Sequence, residues 1–350
     1  MLRISQAILH VFDFDSGSTF FSEGALDLSN RTTRSYVQRH LRKISSNAES
    51  KHGEFSPDSS LAEELRRFFA GQNDFVGFSV QIAQWFWEEL RRAEDLEQCD
   101  LLVADFTDTD GGKADGGPDD SGADAAFEGE GHRFFAVLLL PRKQAFIHEV
   151  DARSNEILRQ DSTLPNPTQK VESYVLVDAD TMAIDFHDKE RSVGGEARQI
   201  IPELFLQCST EASSHEVIDQ VTVIVRDIAK EYGLTPAVEV SRAKVALSRH
   251  ADLEEVVAPA EVGREVFEDR PELARHYEER IAEKQLPDEV PVRRGVANRL
   301  TKTHRIRTDT GIEISFPSDL ADKPGYIDFV TGPDGRISIN ILNVASIENR

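Results

Sequence analysis

Apolar positions along this chain shift between a period of two and a period near 3.6, and the shifts outline its elements. From Leu2 to Phe14 they alternate loosely (Ile4, Ile8, Leu9, Val11, Phe12, Phe14), which predicts an opening strand. Phe20-Phe21 and Ala25-Leu26 are expected to continue that sheet. From a cap at Ser29 or Asn30 to about Ile44 the spacing is helical, with Tyr36, Val37, Leu41 and Ile44 on one side. Ser56-Pro57-Asp58 has the cap oxygen, first-turn proline and early acid of a helix start, ahead of Leu61, Leu65, Phe68 and Phe69. Gly71 ends that helix, and Asn73 or Asp74 opens the next. Its Phe75, Phe78, Ile82, Trp85, Phe86 and Leu90 recur at three and four. Such an aromatic stripe is able to stack on bases, but at helical spacing its ordinary place is the core.

Leu101–Phe106 and Phe134–Leu140 read as partner strands. The Asp/Gly-rich stretch between them, about 107–131, does not fit a calcium loop: with Gly111 at the sixth position, Phe106 falls at the first and Gly117 at the twelfth. With almost nothing apolar to bury, it is expected to be a disordered hairpin insertion. Further strands are expected at Gln144–Val150, Tyr174–Val177 and Met182–Phe186, with Pro165 and Pro167 in an exposed extended connection. Gly194-Gly195 reads as a turn before a helix at Glu196.

Around Pro202–Ser209 the pattern becomes helical. Val217 to Ile228 predicts one helix ended by Gly233, Val238 to about His250 a second after Thr235-Pro236, and Arg270-Pro271 to Lys284 a third. A turn at Thr308–Gly311, the strand I-E-I-S-F-P and a hairpin around Pro333-Asp334-Gly335 close the chain. The expected class is α+β. An N-terminal domain (1–205) holds a mostly antiparallel sheet with helices. A helical connector or dimerisation region (210–290) follows, then a C-terminal module (291–350) with a basic segment and a small antiparallel sheet.

Charge changes this picture. With 63 acidic against 40 basic residues the net charge is −23, which argues against a protein that coats nucleic acid with its whole surface. Screening over roughly 8 Å at physiological salt still lets a local patch act. Two patches stand out. Arg293, Arg294, Arg299, Lys302, Arg305 and Arg307 follow one another with no acid before Asp309. Arg31, Arg34, Arg39, Arg42 and Lys43 share one helix, as a second phosphate-facing surface or as a solvated helix face. Asp178, Asp180, Asp185, His187 and Asp188 lie close together but match no metal-ligand spacing, so no metal and no cofactor is expected. The chain has no G-x-S-x-G, Walker, H-E-x-x-H or G-x-G-x-x-G motif, and nothing argues for an enzyme. Cys99 and Cys208 have no C-x-x-C partner, no apolar run reaches membrane-spanning length, and the N-terminus lacks a signal's cationic start. A cytoplasmic protein with no membrane contact is the expectation.

Several stretches together resemble the bacterial nucleoid-associated protein family known as NdpA or YejK. They are I-S-Q-A-I-L-H-V, F-S-P-D-S-S-L-A-E-E-L with N-D-F-V-G-F-S, T-L-P-N-P-T-Q-K-V-E-S-Y, R-T-D-T-G-I-E-I-S-F-P, and G-P-D-G-R-I-S-I-N-I. They occur in the family's order over nearly the whole chain, while the insertion at about 107–131 departs from its pattern. The resemblance implies a cytoplasmic, nucleoid-located, non-enzymatic protein that binds DNA without sharp sequence preference, and it carries over no catalytic residues; physically, such a role asks for Lys and Arg that neutralise the phosphates of duplex DNA. The alternative is an acidic protein–protein adaptor that recruits or regulates a DNA-maintenance partner without touching DNA. A homodimer through the helices at 215–284 is a further expectation.

Overall fold

Leu101–Phe106 and Phe134–Leu140 are apolar at almost every position, the signature of strands covered on both faces. A computed structural model of the chain describes residues 2–109, 131–150, 155–292, 296, 300–323, 325–332 and 336–346. Most of the expected hairpin insertion at 107–131 and the turn Pro333-Asp334-Gly335 lie outside them. The chain divides into two compact units, Met1–Ser45 with Ser50–Glu211, and Ser46–Glu49 with Ala212–Arg350.

In the first unit the strands are β1 (Leu2–Asp13), β2 (Ser18–Phe20), β3 (Lys51–Gly53), β4 (Cys99–Asp108), β5 (His132–Pro141), β6 (Lys143–Val150), β7 (Asn155–Thr163), β8 (Ser173–Asp178), β9 (Ile184–His187), β10 (Arg191–Val193) and β11 (Glu196–Arg198). The α-helices are α1 (Arg31–Ser45), α2 (Ser60–Phe69) and α3 (Phe75–Leu90), and a short π-helix spans Ile201–Leu206. Seven strands form one antiparallel sheet in the order β2-β1-β4-β5-β8-β9-β3. Side chains alternate between its faces. Leu101, Val103, Phe135, Val137, Val175 and Val177 pack with Leu65, Phe68, Phe78 and Phe86 of α2 and α3. Leu102, Ala104, Phe134, Ala136, Leu138 and Leu176 pack with Val37, Leu41 and Ile44 of α1. The aromatic stripe of α3 is therefore core, and the class is α+β.

Two charge pairs close the apolar stretch of β4. Arg133 donates from Nε and Nη2 to both oxygens of buried Asp105, at 2.9 and 3.0 Å, beside the Phe68 and Phe69 rings. At the other end Arg142 Nε lies 3.2 Å from Asp100 Oδ1, and its Nη2 donates to Phe12 O. Burial pushes the Asp100 carboxyl up to about 6, against the pull of Arg142.

Local details differ from expectation where turns intervene. Ser56 to Ser59 forms a turn, so Ser59 and not Ser56 caps α2 by accepting from Ala62 N. Ala25-Leu26 is no strand, although Leu26 N donates to Ala7 O. No element is expected at Asn155–Thr163, yet these residues form β7 and pair with β6, and Pro165 in the connection that follows is buried, not exposed. Glu196 opens a strand and not a helix, because Gly194 and Gly195 both take positive φ (63° and 81°) and turn the chain straight back.

The second unit holds α4 (Ser214–Glu231), α5 (Pro236–Glu254), β12 (Val256–Val257), α6 (Pro259–Val266), α7 (Pro271–Glu283), β13 (Val290–Pro291), β14 (Thr303–Arg307), β15 (Glu313–Pro317), α8 (Asp319–Asp322), β16 (Ile327–Thr331) and β17 (Ile337–Ile341). A capping box at Ser213 and Glu216 starts α4. The helices converge on a core of Val221, Ile228, Leu247, Val262, Phe267 and Tyr277. In place of one small sheet, the C-terminal residues form two separate two-stranded ladders, β14–β15 and β16–β17, around Phe316 and Ile327.

Removing Arg133 strands the Asp105 charge in a closed site. Arg133→Ala is expected to lower stability by about 3 kcal/mol in urea unfolding, while Arg133→Leu combined with Asp105→Leu costs much less. An equal loss in both proteins would show that packing, not charge compensation, sets the effect.

Candidate nucleic-acid interface

A strand on a folded support sends alternate side chains inward, so a basic strand divides its residues between solvent and core. In β14, Thr303, Arg305 and Arg307 are exposed, whereas His304 and Ile306 turn inward. His304 meets the Phe316 ring edge-on at 5.3 Å, and among the described residues neither ring nitrogen has a hydrogen-bond partner. Burial, with the Lys244 charge nearby, lowers its pKa to about 4. It is thus a neutral core residue at pH 7, although it lies inside the most basic run of the sequence.

Lys302, just before β14, is exposed, and its carbonyl accepts from Ser318 N at 2.9 Å. Among the described residues neither Lys302 nor Arg305 has an acidic partner within salt-bridge distance. Arg307 does. Register places it opposite Glu313, with Nε 3.8 Å from Oε1 and both side chains more than 70% exposed (73% and 74%). The run therefore does have a counter-charge, contributed by the returning strand. The Thr308–Gly311 turn carried that information, because a short hairpin fixes which residues face each other.

Helix α5 anchors this ladder. Ser241 Oγ donates to Ser318 O at 2.6 Å, and Lys244 Nζ donates to Thr303 O at 3.0 Å. Burial lowers the Lys244 pKa. Lys244 thus brings a further positive charge to the strand's start, which nothing in the linear spacing signalled. Arg293, Arg294 and Arg299 lie outside the described residues. Within their stretch, Val296 is buried in the helical core and Leu300 packs against it.

The second basic patch belongs to the other unit. Asn30 Oδ1 accepts from Thr32 N and Thr33 N and so caps α1. Val37, His40, Leu41 and Ile44 are buried, while Arg31, Arg34, Arg39 and Arg42 are exposed. No acid occupies the first turn, where the helix dipole favours one, so Arg31 and Arg34 add positive charge to an already positive end. Arg42 and Lys43 in the last turn suit the dipole, and Lys43 Nζ donates to Thr168 O. Tyr36 OH likewise donates to Pro165 O at 3.0 Å.

The Asp/His cluster is occupied by local structure. Asp178 accepts from Asp180 N and Thr181 N, Asp185 meets His52 Nδ1 at 2.7 Å, and Asp188 accepts from Ser173 Oγ, Arg191 Nη1 and Ile201 N. Among the described residues no three His, Cys, Asp or Glu side chains are grouped to hold a metal ion. Burial pushes the thiols of Cys99 and Cys208 up to about 12 and 11, which removes the thiolate a nucleophile needs. No described helix is long and apolar enough to cross a membrane.

A family model described as nucleoid-associated protein YejK matches residues 8–348. No curated protein matches the chain.

The buried His304 has a pH signature. Its folded pKa of about 4 lies below the usual 6.5, so the unfolded chain binds the proton more readily. Its contribution to stability is full above about pH 6.5 and is lost as the pH falls through 4. His304→Phe is expected to narrow the difference between urea midpoints at pH 7.5 and pH 5. An unchanged difference would mean that His304 titrates normally.

Proposed function

The chain belongs to the nucleoid-associated YejK family, and from that premise we propose that it binds duplex DNA through phosphate contacts with little sequence preference. The observation that carries this reading is β14: a strand holding Arg305 and Arg307 side by side on one exposed face, with Lys302 at its start. His304 and Ile306 turn inward from its other face, so alternation presents Arg305 and Arg307 from the same exposed face. Arginine and lysine displayed in this way neutralise phosphates and release counterions, which gives affinity without base readout. Arg293, Arg294 and Arg299 belong to the same basic run of the sequence and join this proposal through their charge, and Arg31, Arg34, Arg39 and Arg42 of α1 form a second surface. Lys43 contributes through its charge, since its ammonium already serves the Thr168 carbonyl. Under this reading the protein is not an enzyme and acts in the nucleoid.

The net charge of −23 favours a second reading, in which the protein is an adaptor that recruits or regulates a DNA-handling partner and touches no DNA itself. Long-range repulsion from DNA is then the dominant electrostatic term. Salt separates the two readings. Raising the ionic strength weakens phosphate contacts, but it also screens the repulsion of distant acids.

Fluorescence anisotropy with generic duplex across a salt series provides the test. Four to six phosphate contacts give a slope of log K against log salt of about −4 to −5. Converting Lys302, Arg305 and Arg307 together to Ala is expected to flatten it by about 2 to 3. Binding that is unchanged in that triple variant would move the interface away from β14. Absence of binding at low salt would leave the adaptor reading.

A further inference from the structure

β6 and β7 form a two-stranded ladder that joins no other sheet among the described residues. Apolar side chains are exposed on both of its faces: Phe146 66%, Val150 67% and Ile157 73% on one, Ile147 43% and Leu158 37% on the other. An isolated two-stranded hairpin is marginal in water, and an uncovered strand edge is a pairing surface. The ladder's register slips on the β7 side, where Asp161 and Ser162 together stand against Gln144. β6 therefore alternates regularly along its length, while β7 carries the bulge.

The distribution of charge along β6 says what fits it. Lys143 and Glu149 are both exposed, three residues to either side of Phe146, and among the described residues neither has an ion-pair partner. We infer that β6 is the pairing edge of a symmetric dimer, meeting β6 of a second copy antiparallel with Phe146 on the twofold axis. In that register residues whose numbers sum to the same value face each other, as a self-complementary interface requires. Phe146 meets its own counterpart, Ala145 meets Ile147, Gln144 meets His148, and Lys143 meets Glu149 at both ends. The two ladders become one four-stranded sheet, which covers the exposed edge and brings opposite charges together twice. Glu149 and Glu156 make the arm a poor fit for a nucleic-acid phosphate backbone.

Charge reversal tests the register, because Lys143 and Glu149 lie too far apart on one strand to touch within a single protomer. Sedimentation equilibrium of the full chain is expected to show a dimer. Lys143→Glu alone and Glu149→Lys alone each create two like-charge contacts and should weaken it about tenfold or more, and the double swap should restore it to within about threefold. Phe146→Cys should form a disulfide-linked dimer under mild oxidation, and Ile157→Cys on β7 should not. A wild-type monomer at the highest concentration reached overturns the proposal. So does a dimer that is indifferent to the charge reversals, or one that the double swap fails to restore.

Discussion

Burial on both faces of β4, β5 and β8 is the constraint from which the first unit follows. A strand with one wet face tolerates polar residues at every second position; these strands do not. Once Leu101–Ala104 and Phe134–Leu140 are committed to a sheet centre, helices are required on each side, and α1 and the α2–α3 pair occupy the two faces. A slip of one residue in pairing would exchange every side chain between those two cores. It would also move Asp105 away from Arg133, and Asp100 away from Arg142. The ion pairs at the strand's two ends, one on each face, thus mark the register as well as the limits of the apolar stretch.

Much of this was legible in the sequence because the relevant signals are local. Alternation identified β1, continuous apolar runs identified β4 and β5, three-and-four spacing identified α1, α2, α3, α4 and α7, the Thr235-Pro236 start identified α5, and Gly71 and Gly233 marked two helix ends. The misreadings share a cause. Ser59 replaces Ser56 as the cap because a turn intervenes, and β7 was missed because its neighbour is supplied by pairing and not by its own pattern. Gly194-Gly195 was recognised as a turn, but a helix was expected after it because three residues are too few to display a period.

The candidate interface shows the same limit. Composition located the basic run, yet in a strand the identity of the exposed residues depends on parity, and parity is set by the support. That is how His304 comes to be a core residue while Arg305 and Arg307 face solvent. Glu313 opposes Arg307 only after the chain has turned, and Lys244 arrives from a helix 59 residues away. Net charge, the most visible number in the sequence, is the least informative about this surface, since screening isolates it from acids elsewhere.

The small core beneath β14 has a thermodynamic consequence. Phe316 and Ile327 are its only buried apolar members among the described residues, with Ile306, Ile314, Leu320, Phe329 and Ile339 partly covered. Regions with so little buried surface open at a small fraction of the global unfolding free energy. The helical core beside it, built on residues such as Val221, Leu247 and Tyr277, need not open with it. The population of molecules displaying a formed cationic strand is therefore adjustable independently of the rest of the fold. A polyanion that engages only the formed state would draw that population upward by mass action, turning local order into a variable that depends on occupancy.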